Sequence, residues 1–261
     1  MTSNMTNNLR GWLKIVGIGP GDEALITPEV SRALQQATDI VGYIPYVSRI
    51  AARDGLTRHP SDNRVEIDRS RHALEMTAAG KRVVVVSSGD PGVFAMAAAV
   101  FETLETGPAV WRDLDITVMP GITAMLAAAA RAGAPLGHDF CTINLSDNMK
   151  PWEMIEKRLR LAAEADFAMA FYNPRSRSRP QGFGRVLDLL RDACGPERLI
   201  IFARAVSTPE ESLRVITLAE ATPEMADMRT MVIVGSSQTR RIDRPGHNDA
   251  PFVYTPRSVP E

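Results

Sequence analysis

Cysteine is nearly absent from this chain: there are two in 261 residues, Cys141 and Cys194. They lie far apart and match no metal-ligand or redox spacing. Neither a disulfide framework nor a zinc site is expected, and each reads as a small buried hydrophobe. An excess of either charge is missing too. The 30 lysines and arginines stand against 31 carboxylates, for a net charge of −1 and an isoelectric point near 6.5. No general nucleic-acid footprint is therefore visible. No apolar run approaches the roughly 20 residues that span a bilayer. The leading Met1 to Arg10 is polar and has no apolar h-region, so it reads as a loose tail rather than a signal peptide. Repeats and low-complexity segments are missing as well. These absences point to a soluble, cytoplasmic protein without a metal site, and the length suits one large or two modest domains.

What is present is organised around Val83-Val84-Val85-Val86-Ser87-Ser88-Gly89-Asp90-Pro91-Gly92-Val93-Phe94. Four consecutive valines read as a strand buried on both faces, as in a parallel sheet. Pro91 and the two glycines stop the strand, and an alanine-rich helix is expected from Val93 to Leu104. Strand, tight turn and helix form the usual mouth of an α/β site. Two more strands end the same way. Leu13 to Gly19 runs into Gly19-Pro20-Gly21-Asp22, and Leu114 to Met119 runs into Pro120-Gly121-Ile122-Thr123-Ala124. The first loop departs from a dinucleotide-binding loop, because its third glycine falls too early and no helix starts at once. The next helix opens at Thr27-Pro28-Glu29, with Thr27 as cap and Pro28 at the first helical position. Three such mouths imply a shared crevice on one sheet edge.

The remaining punctuation gives a strand over Asp39 to Tyr43, leading to Tyr43 and Tyr46 around Pro45. A polar connection without clear period follows from Arg49 to Asn63, then a helix from Val65 to Ala79. Gly133 to Gly137 is the candidate linker, which sets an N-terminal α/β domain over 11–136 and a C-terminal α/β domain over 137–241. In the second domain strands are expected at Phe140 to Leu145, Asp166 to Tyr172, Leu199 to Arg204, Leu213 to Leu218 and Met231 to Val234. Helices are expected from Trp152 and around Phe183 to Leu190. Strands outnumber helices late on, so the second sheet is expected to be mixed. The stretch over 242–261 reads as an arm on the surface or on a partner subunit.

In this order and spacing, Val16-Gly17-Ile18-Gly19-Pro20-Gly21-Asp22, Ser88-Gly89-Asp90-Pro91-Gly92, Pro120-Gly121-Ile122-Thr123-Ala124 and Arg204-Ala205 with Pro209-Glu210-Glu211 are specific. The chain resembles the tetrapyrrole methylases, which transfer a methyl group from S-adenosylmethionine to cobalamin and sirohaem precursors. The likeness runs from about Leu13 to Gly235. Further stretches point to one branch within the family: Gly42-Tyr43 with Tyr46, Pro135 to Phe140, Leu145-Ser146-Asp147 with Pro151-Trp152, and Tyr172 to Ser176. The resemblance implies two α/β domains, the first with a mainly parallel sheet, and the methyl donor folded into the cleft between them, in a homodimer. It implies a donor site of Pro20, Gly89, Asp90, Pro91, Val93, Thr123, Ala124, Tyr172 and Ala205.

Methyl transfer from a sulfonium needs positioning more than acid–base help. The resemblance also implies contraction of the macrocycle, with extrusion of a meso carbon as an acetyl group. That step needs a proton acceptor near a hydroxyl and a donor near a leaving carboxylate. The polar candidates are His138, Asp139 and Asp147, with Asp22 and Ser146. His138 is open to a structural reading, Asp139 to a capping one, and Asp147 to a turn of its own backbone. A polycarboxylate substrate would be met by Tyr43 and Tyr46, by Arg175, Arg177 and Arg179 on one loop, and by Arg49, Arg53 and Arg58 in the first domain. The rival readings are a sibling methylase acting at another ring position, or a non-catalytic nucleotide-binding module.

Overall fold

The computed structural model describes residues 11–63, 65–246 and 250–258. The N-terminal stretch read as a loose tail lies outside them. The chain packs as two compact units, one up to Thr123 and one from Ala124.

The first unit comprises β1 (Trp12–Gly17), α1 (Pro28–Gln36), β2 (Asp39–Tyr43), α2 (Ile44–Val47), β3 (Thr57–Ser61), α3 (Glu66–Ala78), β4 (Arg82–Ser87), α4 (Met96–Thr106) and β5 (Asp115–Met119). Its sheet has the order β3-β2-β4-β1-β5 with every pair parallel. The valine run behaves as its composition requires. Val83 and Val85 pack with Leu13, Ile15, Leu74 and Val100 on one face, while Val84 and Val86 pack with Val16, Ile18, Val30 and Ile40 on the other. Helices therefore cover both sides of β4. The α1 start follows its cap, Thr27 Oγ1 accepting from the Val30 N–H at 3.3 Å.

Two first-unit features differ from the sequence reading. Thr57–Ser61 is a strand inside the connection that showed no period. It lies at the sheet edge and is largely exposed, so no apolar alternation marks it, and its Pro60 is tolerated there. Helix α4 begins at Met96 rather than Val93, because Phe94 takes a left-handed backbone (φ +53°) that no helix can include.

The second unit comprises α5 (Ala124–Ala132), β6 (Gly133–Ala134), β7 (Phe140–Asn144), α6 (Trp152–Glu164), β8 (Ala168–Tyr172), α7 (Gly182–Cys194), β9 (Leu199–Arg204), β10 (Ser212–Thr217), β11 (Thr230–Val234), β12 (Arg240–Ile242) and β13 (Phe252–Tyr254). The main sheet, β10-β9-β11-β8-β7, is mixed: β7 and β8 run parallel and the other pairs antiparallel. Ile155, Leu159, Phe183, Val186, Leu187 and Leu190 of α6 and α7 bury one face with Met169, Phe171 and Phe202. Helix α5 covers the other face, its Met125, Ala128, Ala129 and Ala132 packing with Ala170, Ile201, Ala203 and Met231. That packing puts α5 with the second unit, so the division falls before this helix and not at the linker after it. The expected surface arm is largely built in. Strand β13 pairs with β12 and β6, and Val253 is fully buried against α5 and the sheet. Among the described residues no helix is long and apolar enough to cross a membrane.

Asp39 opens β2 with its side chain 3% exposed. Burial alone would raise its carboxyl above the ordinary value. Hydrogen bonds with Lys81 Nζ (2.9 Å), His59 Nε2 (2.7 Å) and Thr38 Oγ1 (2.8 Å) outweigh that and hold it lower. A folded-state value below the unfolded one gives stability that is fully present at neutral pH and is lost as pH falls through about 4 and below. Asp39→Asn should cost about 1–3 kcal/mol at pH 7 and shrink the acid-induced loss. Urea unfolding at pH 7 and near pH 3 measures both, and a variant as acid-sensitive as the parent would remove Asp39 from the account.

Candidate functional site

In the first unit β4, β1 and β5 are neighbours, so their C-terminal ends and following turns lie side by side on one edge. The turns touch through backbone. A Cβ on Gly17 would sit 2.3 Å from the Gly89 carbonyl oxygen and 2.9 Å from Gly121 Cα. One on Gly121 would meet that same oxygen at 2.2 Å. Gly19 and Gly89 exchange backbone hydrogen bonds (3.2 and 2.9 Å). Asp90 links the second turn to itself and to the third: the Gly92 N–H donates to Oδ1 (2.8 Å) and the Gly121 N–H to Oδ2 (3.0 Å). Each oxygen keeps a lone pair for a ligand hydroxyl or ammonium. Around this knot Pro20 and Val93 are half-buried, while Pro91 and Thr123 are buried.

Arg49 closes the first turn from outside. Its guanidinium donates to the carbonyls of Ile18 (2.8 Å), Gly21 (3.0 Å) and Gly19 (3.3 Å), and burial pulls it below the usual arginine range. Tyr43 and Tyr46 stand at the C-terminal end of β2, edge to face with centroids 5.3 Å apart. Burial, then the neighbouring Tyr43, pushes the Tyr46 phenol up. Arg69 is 5% exposed and donates to Ser61 Oγ (2.8 Å) and the Asp62 carbonyl (2.7 Å). Sequence reading passed over Arg69; its signal was an arginine one position before Ser70 on the buried side of α3. The expected rim arginines are otherwise engaged. Arg53 donates to the Leu34 and Ala37 carbonyls at the end of α1, and Arg58 to the Ile50 carbonyl (3.2 Å).

In the second unit Tyr172 ends β8, and its hydroxyl accepts from the Met125 N–H (3.2 Å) one residue beyond Ala124. Asn173 follows in a left-handed conformation (φ +53°). Asn144, at the end of the parallel neighbour β7, accepts at Oδ1 from Asn173 Nδ2 (3.1 Å) and from the Ser146 N–H (2.9 Å). Lys150 Nζ donates to the Asn144 carbonyl (2.6 Å), and Arg179 Nη1 to the Leu145 carbonyl (3.2 Å). Arg175 donates to the Pro180 carbonyl (3.2 Å), and Arg177 is exposed. Asp147 lies 3.6 Å from Arg179 Nε. His138 and Asp139 precede β7, at its opposite end, where the Asp139 N–H donates to His138 Nδ1 (2.7 Å). Five residues of strand put about 16 Å between that pair and the Asn144 end. His138 and Asp139 are thus together, and Asp147 is elsewhere. Asn144, Lys150 and Asn173 were not singled out by sequence, since nothing in the chain order brings them together.

Ala205 and Ser207 both adopt left-handed backbone, at φ +49° and +63°. The turn is held by the Ser207 N–H donating to Glu211 Oε2, and Glu211 pairs with Arg131 of α5 at 3.0 Å. Ser207 Oγ is buried without a hydrogen-bond partner. Such strain in a turn after a strand is characteristic of sites.

Residues 13–222 match the model of the tetrapyrrole (corrin/porphyrin) methylases. A Sinorhizobium protein named precorrin-3B C(17)-methyltransferase is 51% identical over 249 residues, covering 95% of this chain and 97% of that one. The cobalamin biosynthesis protein CobIJ of Mycobacterium tuberculosis is 46% identical over 257 residues, 97% of this chain; the chain spans 49% of that longer protein. The crystal structure of the methyltransferase CobJ superposes with a TM-score of 0.90 at 66% identity, covering 94% of this chain and all of that one.

The glycine knot makes a stability prediction. Gly17→Ala must displace the Gly89 carbonyl and should cost about 1–3 kcal/mol or more. Gly182→Ala meets nothing within 4 Å and should stay within about 0.5 kcal/mol of the parent. Equal midpoints in urea for both variants would show that the contact carries no energy.

Proposed function

Because the chain belongs to the tetrapyrrole (corrin/porphyrin) methylases, we propose that it transfers a methyl group from S-adenosylmethionine to C17 of precorrin-3B, with ring contraction to precorrin-4, in cobalamin biosynthesis. The observation that carries this reading is the 51% identity to a relative of that name across nearly the whole of both chains. The proposed assembly is a homodimer, as the resemblance implies, and the proposed setting is the cytoplasm.

The donor supplies a methyl group on an already activated sulfonium, so the residues here have to bind and orient. We assign Pro20, Gly89, Asp90, Pro91, Val93 and Thr123 of the first unit, and Ala124, Tyr172 and Ala205 of the second, to that task. The residues suit the group. Small side chains and backbone bent at Gly89 (φ +64°) and Ala205 allow close approach, and the buried, unpartnered Ser207 Oγ beside Ala205 offers a hydrogen bond to a polar ligand. Tyr43, Tyr46, Arg175, Arg177 and Arg179 are assigned to the macrocycle, the tyrosines as apolar surface with polar tips and the arginines as carboxylate forks. His138, Asp139 and Asp147 remain the acid–base candidates, with Asp147 standing beside Arg179.

Two measurements test this. Calorimetry with S-adenosylhomocysteine should show binding to the parent and none to Ala124→Trp, whose indole fills the assigned space; unchanged affinity in a folded variant moves the donor elsewhere. Mass spectrometry after incubation with S-adenosylmethionine and precorrin-3B should show a product one methyl group heavier. Donor binding without that product would overturn precorrin-3B as the substrate. Sedimentation velocity at micromolar concentration should give twice the chain mass, and a monomer alone would overturn the dimer.

A further inference from the structure

Lysine is scarce in this chain: Lys14, Lys81, Lys150 and Lys157 are all there are, among 30 basic residues. Three have ordinary surroundings. Lys14 stacks on Trp12 at 4.4 Å, Lys81 pairs with Asp39, and Lys157 is exposed on α6. Lys150 does not fit that pattern. It is half-buried beyond the C-terminal ends of β7 and β8, and among the described residues no carboxylate pairs with it. Its one described hydrogen bond, to the Asn144 carbonyl at 2.6 Å, leaves two of its three ammonium donors without a described partner. Burial, then the charges of Arg158 and Arg179, pulls its ammonium below the usual lysine range.

Arg179 adds a second deficit at the same place. Its side chain is 13% exposed, and its Nε is buried with no hydrogen-bond partner; Asp147 Oδ1, itself half exposed, forms an ion pair with that Nε at 3.6 Å, beyond hydrogen-bond distance. A half-buried lysine and a largely buried arginine thus stand beside one partly exposed carboxylate, the Asp147 that pairs with Arg179. Two partly buried cations and a single carboxylate leave a surplus positive charge that an anionic ligand group would complete. The Asn144 carbonyl holds Lys150 Nζ and the Leu145 carbonyl holds Arg179 Nη1, while Asn173 Nδ2 fixes the Asn144 side chain.

We propose that Lys150 and Arg179 form a carboxylate subsite, in which the Lys150 ammonium and Arg179 Nε grip one acidic side chain of the tetrapyrrole. The proposal rests on the methylase reading and adds to it a residue outside the arginine loop. Within that loop it also separates Arg179, which is held at the subsite, from the exposed Arg177. Lysine suits the task as a compact charge with free donors beside a planar fork that already spends one nitrogen on backbone.

The test uses the whole protein and uroporphyrin III, a tetrapyrrole octacarboxylate, as probe, read by fluorescence titration and by acetylation of lysines followed by mass spectrometry. Uroporphyrin should slow acetylation of Lys150 at least about fivefold and leave Lys157 unchanged. S-adenosylhomocysteine should protect neither. Lys150→Gln should weaken uroporphyrin binding about tenfold or more, Lys150→Arg should retain it within about threefold, and both should bind S-adenosylhomocysteine like the parent. Unprotected Lys150 with unchanged affinity in Lys150→Gln overturns the subsite and leaves the methylase reading standing. Equal protection by inorganic phosphate, with no effect of uroporphyrin, also overturns it, in favour of a small-anion site. Loss of S-adenosylhomocysteine binding in both variants makes Lys150 a structural brace and overturns it too. A parent protein that binds neither ligand defeats the methylase reading itself.

Discussion

The meeting of three backbones at Gly17, Gly89 and Gly121 is the constraint on which the first unit depends. Parallel strands β4, β1 and β5 bring their ends to one edge. Only residues without Cβ allow the turns that follow to press together there. Once they touch, exchange of hydrogen bonds between Gly19 and Gly89 and the two-handed grip of Asp90 become possible. The same closeness leaves the turn tops as a small, rigid platform of proline, glycine and short polar side chains. An aspartate first read as a ligand for a bound group is therefore also a fastening between turns.

Arginine has a comparable structural role throughout the chain. Arg49 gathers three carbonyls of the first loop, Arg53 satisfies the carbonyls that end α1, and Arg191 donates to Leu218 and Ala221. A guanidinium carries five donors in a fixed fork and can close a loop whose carbonyls have no backbone partner. Burial lowers Arg49, with Tyr46 and Glu23 acting against it, while its direct hydrogen bonds go to the three loop carbonyls. An arginine count alone thus overstates the charge available to an acidic ligand. Lys150 and Arg179 differ because their donors are incompletely used.

Left-handed backbone at Phe94, Asn173, Ala205 and Ser207 marks the turns after β4, β8 and β9. Each non-glycine residue there costs on the order of 1–3 kcal/mol, which the surrounding hydrogen bonds must offset. Glu211 does so for the Ala205 turn through the Ser207 N–H and Arg131, and Asn144 does so for Asn173. Four of the five left-handed non-glycine residues described lie in these turns; Asp166, before β8, is the fifth, and none lies within a strand.

Composition and period by themselves determined the buried strands and the amphipathic helices. The valine run, the Thr27 cap and the spacing of Phe183, Val186, Leu187 and Leu190 each record a local preference that packing then uses. The order of the glycine turns also carried the family, and with it the assigned donor residues. Edge strand β3 was illegible because an exposed edge needs no apolar alternation, and β13 because the buried positions in and beside it are filled by Pro251 and Thr255 as well as Val253, which is not an apolar strand pattern. Only the tertiary structure decided which side chains meet. It set His138 and Asp139 at the opposite end of β7 from Asp147, committed Arg49 to a loop, and gathered Asn144, Lys150, Asn173 and Arg179. Those contacts join residues up to 34 positions apart. Local propensity carries no information about such pairs, because it is the parallel register of β7 and β8 that brings them together.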